Sequence, residues 1–100
     1  MSTRAYVGIE RLDGSVRYIY CHFDGTLERL GNCLQDNYNT TALVNDLIDN
    51  GDASQIKSTV SDSVFYHRDK GEDFAEVRAS FEDNRANYSL DLEGNMAYLF

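Results

Sequence analysis

The residues best suited to chemistry lie close together in this sequence, at Cys21, His22 and Asp24. A thiol, an imidazole and a carboxylate are the nucleophile, base and orienting group of a cysteine hydrolase. The run VRYIYCH, 16–22, alternates like a strand, and neighbouring strand residues point to opposite faces. Cys21 and His22 therefore cannot act as one pair. Cys21 shares its face with Ile19 and is predicted to be a buried packing residue.

His22 stays open as part of a small-molecule site, together with His67 and Arg68. No zinc site is predicted, because the cysteines and histidines lack close ligand spacings such as Cys-x-x-Cys or His-x-x-x-His. The sequence also has no glycine-rich phosphate loop and no G-x-S-x-G motif. We therefore predict no catalytic residue, no cofactor and no metal, and a Cys/His hydrolase is the third of three functional hypotheses.

The elements that must position these groups begin with a β-hairpin. Residues 4–12 and 15–22 alternate between apolar and polar side chains and flank Asp13-Gly14. This dipeptide is typical of a two-residue type I′ turn. Helical spacing of leucines predicts an amphipathic helix over 27–37, with Thr26 as its N-cap.

A second helix is predicted after residue 39. Thr40 or Thr41 is its N-cap, an apolar stripe follows, and Asn50-Gly51 supplies a left-handed C-terminal stop. The remaining sequence is predicted to be mainly β structure.

That second half is less regular. Residues 64–67 are predicted to form a strand, and 74–81 fit a helix and a strand equally well. Residues 88–92 and 96–100 are predicted to pair as a C-terminal hairpin. The fold class is therefore α+β, a single domain over 1–100. We expect an antiparallel sheet of about four or five strands with two helices packed on one face.

Acidic residues dominate the charge: 17 acids and 9 bases give a net charge of −8. Such a chain is repelled by nucleic acids and anionic membranes and attracted to basic surfaces. Either the acids serve solubility alone, or they imitate phosphates and bind a basic, nucleic-acid-binding partner. The candidate partner-binding acids are Asp46, Asp49, Asp52, Asp69, Glu72, Asp73 and Glu76.

Tyrosines are the second candidate binding feature. Tyr6, Tyr18 and Tyr20 fall on two neighbouring predicted strands. Tyrosine is common in sheets and is also a favoured interface anchor, so both interpretations stay open. Tyr18 and Tyr20 join the acids as candidate partner-binding residues.

The sequence also indicates a cellular setting. It contains no long apolar run, and its N-terminus has no signal-peptide pattern. Two widely spaced cysteines are typical of free thiols in a reducing compartment. We expect a cytoplasmic protein.

The N-terminal stretch MSTRAYVGIERLDGSVRYIYCHFDG resembles the opening of small bacteriophage and prophage accessory proteins. FYHRDKGED resembles their second shared stretch. No activity is established for these proteins, so the resemblance implies no catalytic residues. It implies a context, because small acidic phage proteins often antagonise host proteins, including CRISPR and restriction systems.

The leading hypothesis is therefore a non-enzymatic, anti-CRISPR-like inhibitor in the host bacterial cytoplasm, which binds a nucleic-acid-binding host protein. The alternative is a small-molecule binding protein for a nucleotide signal.

Overall fold

The computed structural model describes residues 3–91 and 95–100. The predicted hairpin is confirmed as β1, Ala5–Glu10, and β2, Val16–Cys21. The two strands pair antiparallel, with Ala5 opposite Cys21 and Glu10 opposite Val16. Alternate residues of both strands enter the main core, which is the periodicity that predicted them.

The turn of this hairpin differs from the predicted type I′ form. Arg11 donates its N–H to the Ser15 carbonyl at 2.8 Å, and Gly14 donates to the Arg11 carbonyl at 2.9 Å. Gly14 has a φ of 88°, whereas Asp13 has no positive φ. A type I′ turn needs positive φ at both central residues, so this is a three-residue loop closed by one left-handed glycine. Asp13 accepts the Ser15 N–H at 2.9 Å, which stabilises the longer loop.

The two predicted helices are confirmed. The first begins with a π-helical turn, Leu27–Gly31, and continues as α1, Asn32–Asn37. The second is α2, Thr41–Asp49, and Gly51 follows it with a φ of 79°. Both helical segments pack on one face of the sheet. Their buried side chains are Leu30, Tyr38, Val44, Leu47 and Ile48.

Thr40, rather than Thr41, caps α2, because its hydroxyl accepts the Leu43 N–H at 3.2 Å. Replacing Thr40 with alanine is expected to lower the free energy of unfolding by about 1 kcal/mol, since this N–H loses its acceptor. Thr41→Ala is the matched control and should change stability by about 0.5 kcal/mol or less. Urea denaturation of both variants measures the difference, and equal losses would contradict the assignment.

Four shorter strands complete the sheet: β3, Ala53–Gln55; β4, Val64–Phe65; β5, Ser80–Glu82; and β6, Met96–Leu99. Their order is β4-β3-β2-β1-β6, and β5 pairs with the start of β2. The α+β class is confirmed, with six strands in the described part of the chain. The sheet is mixed rather than antiparallel, because β6 runs parallel to β1 and β3 runs parallel to β2.

The second half of the chain carries the main corrections. Residues 74–81 adopt both predicted states in succession, as α3, Phe74–Val77, and then β5. The strand predicted over 64–67 stops at Phe65. The strand predicted over 88–92 is wrong for 88–91, which belong to α4, Arg85–Asp91. Residue 92 and the predicted turn at 93–94 lie outside the described residues.

The physical reason for α4 is local capping combined with a distant contact. The Asn84 side chain accepts the Asn87 N–H at 2.9 Å, as a helix N-cap does. Tyr88 then packs against Val16, on the sheet face opposite α1 and α2.

None of the helices within the described ranges has the length and apolar content that crossing a membrane requires.

Candidate protein-binding surface

A row of aromatic side chains covers the sheet face opposite α1 and α2, which we call the outer face. The Tyr6 ring centre lies 5.9 Å from that of Tyr18 and 5.5 Å from that of Tyr20. Tyr20 continues to His22 at 5.9 Å, and Tyr18 continues in the other direction to Tyr88 at 5.2 Å. We call this set the aromatic row: Tyr88, Tyr18, Tyr6, Tyr20, His22 and Phe23.

Tyr88 anchors one end of the aromatic row. It is only 1% exposed, and its hydroxyl donates to the Tyr98 carbonyl at 2.9 Å. Burial raises the pKa of the Tyr88 phenol, which therefore stays a neutral donor. Gly8 of β1 allows this close packing, because a Cβ there would lie 3.2 Å from the Tyr88 ring and 3.0 Å from Val16. Tyr88 therefore fixes this end of the row where α4 meets the sheet.

His22 belongs to this row and not to a shared histidine site. Its Nδ1 lies 2.6 Å from the Tyr20 hydroxyl and shares a hydrogen bond with it. His67 donates from Nδ1 to the Glu72 carbonyl at 2.8 Å, and its ring packs on Phe74. Each histidine thus has its own local partners.

Arg68 has a structural position beside the buried end of β4. Its guanidinium donates to the carbonyls of Val60, at 2.9 Å, and Ser63, at 2.6 Å, and lies 4.9 Å from the Phe65 ring centre. The predicted grouping of both histidines with Arg68 is therefore not formed by the contacts present. Within the described ranges, no three His, Cys, Asp or Glu side chains are placed to hold a metal ion.

Cys21 is fully buried in the main core, which confirms its predicted packing role. Its thiol donates to the Phe23 carbonyl at 3.4 Å. Burial raises the pKa of this thiol to about 11. Because the thiolate is the nucleophilic form, both the burial of Cys21 and its raised pKa disfavour a nucleophilic role.

Asp52 borders the aromatic row and is half-buried. Its carboxylate accepts the Tyr20 N–H at 2.9 Å, which extends the hydrogen bonding of β3 along β2. Asp52 also lines a cleft of about 480 Å³ on the outer face. The other residues of this cleft are Arg4, Tyr6, Tyr18, Tyr20, Ser80 and Asn95.

Glu72 and Glu76 come close to Asp52 through the backbone. The Tyr66 N–H bonds the Asp52 carbonyl at 3.1 Å, and the Glu72 N–H bonds the Tyr66 carbonyl at 3.0 Å. The Asp52 N–H bonds the carbonyl of Val77 at 2.7 Å, directly after Glu76. We call Asp52, Glu72, Asp73 and Glu76 the acidic edge. It adjoins the Tyr20 end of the aromatic row.

The other predicted acids have separate positions. Asp49 lies on α2 and forms an ion pair with Arg17 at 2.6 Å. Asp46 is exposed on the same helix. Asp69 accepts the Phe65 N–H at 2.8 Å and pairs with Arg68, so it stabilises its own loop. Asp49 and Asp69 are thus each paired with an arginine.

Hydrogen bonding separates the three exposed members of the acidic edge, Glu72, Asp73 and Glu76. Asp73 caps α3, accepting the Ala75 N–H at 3.0 Å. Glu72 and Glu76 are exposed and form no ion pair with any described residue. They are therefore the members of the acidic edge whose carboxylates have neither a helix-capping role nor an ion pair among the described residues.

The pKa of Asp52 gives a test of this geometry. Burial, with repulsion from Glu72, raises that pKa above its usual 3.8. The folded protein then binds the proton more tightly than the unfolded chain, so stability falls as pH rises from 3.8 through the raised value. Asp52→Asn keeps the oxygen that accepts the Tyr20 N–H but does not titrate. The free energy of unfolding of this variant minus that of the unmodified protein should therefore be larger at neutral pH than in acid.

Asp69→Asn is the control with the opposite sign. Hydrogen bonding to Arg68 lowers the pKa of Asp69, so its stabilising effect is present at neutral pH and is lost in acid. Urea denaturation of both variants from acid to neutral pH provides the measurement. The same sign in both variants would contradict the half-buried position of Asp52.

Sequence reasoning identified Tyr18 and Tyr20 but missed Tyr88 and Arg4 as parts of this surface. Tyr88 was assigned to a strand, and the sequence feature that indicates otherwise is the N-cap residue Asn84. Arg4 carries no local pattern, since it reaches the cleft only through the pairing of β1 with β2.

The protein-family models, the curated proteins and the solved structures were all compared with this chain, and none matched. What the outer face binds is therefore inferred from its own chemistry. Half-buried tyrosine rings beside exposed carboxylates are suited to guanidinium groups, which stack on aromatic rings and pair with carboxylates.

Proposed function

We propose that this protein is a non-enzymatic inhibitor that binds a basic, nucleic-acid-binding protein through the aromatic row and the acidic edge. The observation that carries the proposal is the contact of Asp52 with Tyr20, which joins the two features into one surface. Arginines that line a nucleic-acid groove would find stacking partners and carboxylates together. The net charge of −8 accelerates encounter with such a groove and repels nucleic acid itself.

The biological setting of the proposal comes from the resemblance of the N-terminal stretch and FYHRDKGED to phage accessory proteins. In that setting the protein is phage-encoded and anti-CRISPR-like, and it acts in the cytoplasm of the host bacterium. Occupying an arginine- and lysine-lined groove blocks nucleic acid from entering it and needs no chemical step.

Binding to a peptide of about nine arginines, compared with the equivalent lysine peptide, tests the chemistry of the surface. We expect the arginine peptide to bind more tightly, because guanidinium groups stack on tyrosine and ammonium groups do so less well. Raising the salt from about 0.05 M to about 0.5 M should weaken binding at least tenfold. Fluorescence anisotropy measures both effects.

A double charge reversal locates the interaction. Glu72→Lys with Glu76→Lys should weaken binding of the arginine peptide about tenfold or more. Glu28→Lys with Asp36→Lys changes the net charge equally on the helical layer, where both residues are exposed, and should cost about threefold or less. Equal losses in the two variants, or binding insensitive to salt, would reject the proposed surface.

The cleft on the outer face favours nucleotide binding as a second candidate function. Its volume of about 480 Å³ is typical of small-ligand sites, and it combines three tyrosines with Arg4. A base would stack on the tyrosines while Arg4 contacts a phosphate. A ligand at 100 times its dissociation constant adds about 2.7 kcal/mol to stability, which a thermal-shift screen of nucleotides would detect. Loss of that shift in Arg4→Ala would favour this function over the protein partner.

A further inference from the structure

β6 is the last strand at one end of the sheet, and no other described strand pairs with the edge that faces away from β1. Phe100 donates its N–H to the Gly8 carbonyl and accepts the Glu10 N–H, both at 2.9 Å, so its backbone faces β1. Backbone groups alternate in direction along a strand. The N–H and C=O groups of Ala97 and Leu99 therefore point away from β1, toward the open edge.

An apolar cavity of about 320 Å³ lies beside this edge, between β6 and the helical layer. Its apolar lining includes Val7, Leu34, Tyr38, Val44, Tyr98 and Phe100. The exposed amides of Gln35 and Asn39 also line it. The volume is at the lower end of that of natural ligand pockets and accommodates one large apolar side chain.

We propose that the β6 edge binds an extended segment of a partner protein by strand addition, with one large apolar side chain in the cavity and basic residues flanking it. Exposed backbone groups along a strand edge favour an extended partner, because another strand pairs with them in register. The neighbouring cavity supplies the side-chain pocket that gives this binding mode its specificity. This site lies on the helical side of the sheet, so it is independent of the function proposed for the outer face.

Charge identifies the partner as a basic segment rather than a second copy of this chain. Two copies, each with a net charge of −8, repel one another, whereas lysine and arginine flanks are attracted. The strand itself lacks two of the features that natural edges use to prevent pairing. Met96–Leu99 contains no charged residue and no proline.

The test begins with random linear peptides of about nine residues, displayed as a library and selected against the whole protein. The enriched peptides should contain one large apolar residue flanked by Lys or Arg. Ala97→Pro should then weaken their binding about tenfold or more, because proline removes an outward-facing donor while the bonds to β1 are kept. Ala97→Ser retains the donor and should change affinity about twofold or less.

Two further measurements separate a lost site from a lost fold. Circular dichroism checks that Ala97→Pro is folded, and this variant should still bind the arginine peptide through the outer face. Strand pairing can also be tested without changing the protein, by methylating either the odd-numbered or the even-numbered backbone nitrogens of the selected peptide. Only one of these two sets faces β6 in a paired strand, so methylating that set should abolish binding.

The proposal is overturned by any of four results. In the first, the selection enriches no peptide. In the second, the selected peptides bind folded Ala97→Pro as tightly as the unmodified protein, and in the third neither methylation pattern weakens their binding. In the fourth, sedimentation shows a dimer of the unmodified protein that Ala97→Pro dissociates. The last result would assign the edge to a second copy of the chain.

Discussion

Replacing Phe65 with alanine is expected to lower the free energy of unfolding by about 3–5 kcal/mol. Phe65 is 0% exposed and lies on β4 opposite Ala53. The cavity left by the ring cannot collapse easily, because Arg68 beside it is held by the carbonyls of Val60 and Ser63. The ring's lost transfer energy and the remaining void therefore both contribute.

Phe81→Ala is the matched control for Phe65→Ala. Phe81 is 57% exposed and contacts the guanidinium of Arg11 at 5.4 Å from the ring centre. Its loss should cost about 1 kcal/mol or less. Urea denaturation followed by circular dichroism measures both variants. Similar losses would mean that Phe65 is not the core residue that its burial indicates.

Gly51→Ala is expected to destabilise the protein by about 3 kcal/mol through two additive effects. Gly51 has a φ of 79°, which is unfavourable for a residue with a Cβ. A Cβ at this position would also lie 2.5 Å from the Val77 carbonyl oxygen. Relieving that clash moves α3 away and disturbs the hydrogen bond from Asp52 to Val77.

Two other left-handed glycines isolate the steric part of this effect. Gly14 and Gly71 have φ values of 88° and 73°, and a Cβ at either would meet nothing within 4 Å. Alanine at these positions should therefore cost only the conformational strain, about 1–2 kcal/mol. If Gly51→Ala is no worse than these controls, the close approach of Val77 contributes nothing to stability. Gly51→Ala should also weaken arginine-peptide binding, since the shift separates Glu76 from Asp52.

Local sequence features predicted the first half of the fold well. The hairpin and both helices follow from side-chain periodicity and capping, which act over a few residues. The same locality explains the error at the hairpin turn. Asp13-Gly14 permits a two-residue turn, but the side-chain bond from Asp13 to Ser15 favours a loop of three residues.

The second half was harder to predict because its elements are short and depend on distant partners. The five residues 88–92 alternate like a strand, yet burial of Tyr88 against Val16 stabilises a helix over 85–91. β6 pairs with β1 across most of the chain, from Ala5 opposite Met96 to Gly8 opposite Leu99. Nothing in the local pattern distinguishes this parallel pairing from the antiparallel hairpin expected there.

The sequence likewise predicted only part of the candidate binding surface. The sequence identified the acids but not their partners, so Asp69 and Asp73 appeared equivalent to Glu72 and Glu76. The structure uses the two aspartates as backbone hydrogen-bond acceptors, at Phe65 and Ala75 respectively. Short aspartate side chains reach nearby backbone N–H groups more readily than glutamates do, but which N–H is near depends on the folded loop.

The sequence by itself determined that Cys21 and His22 face opposite sides of a strand, that two helices follow the hairpin, and that the surface is acidic. These properties depend on residue spacing and formal charge, which are independent of distant contacts. Only the tertiary structure decided that Tyr6, Tyr18, Tyr20 and Tyr88 form one row, and that β6 has an edge that no other described strand pairs with, beside an apolar cavity. Both features join residues far apart in the chain, and strand order and register bring them together.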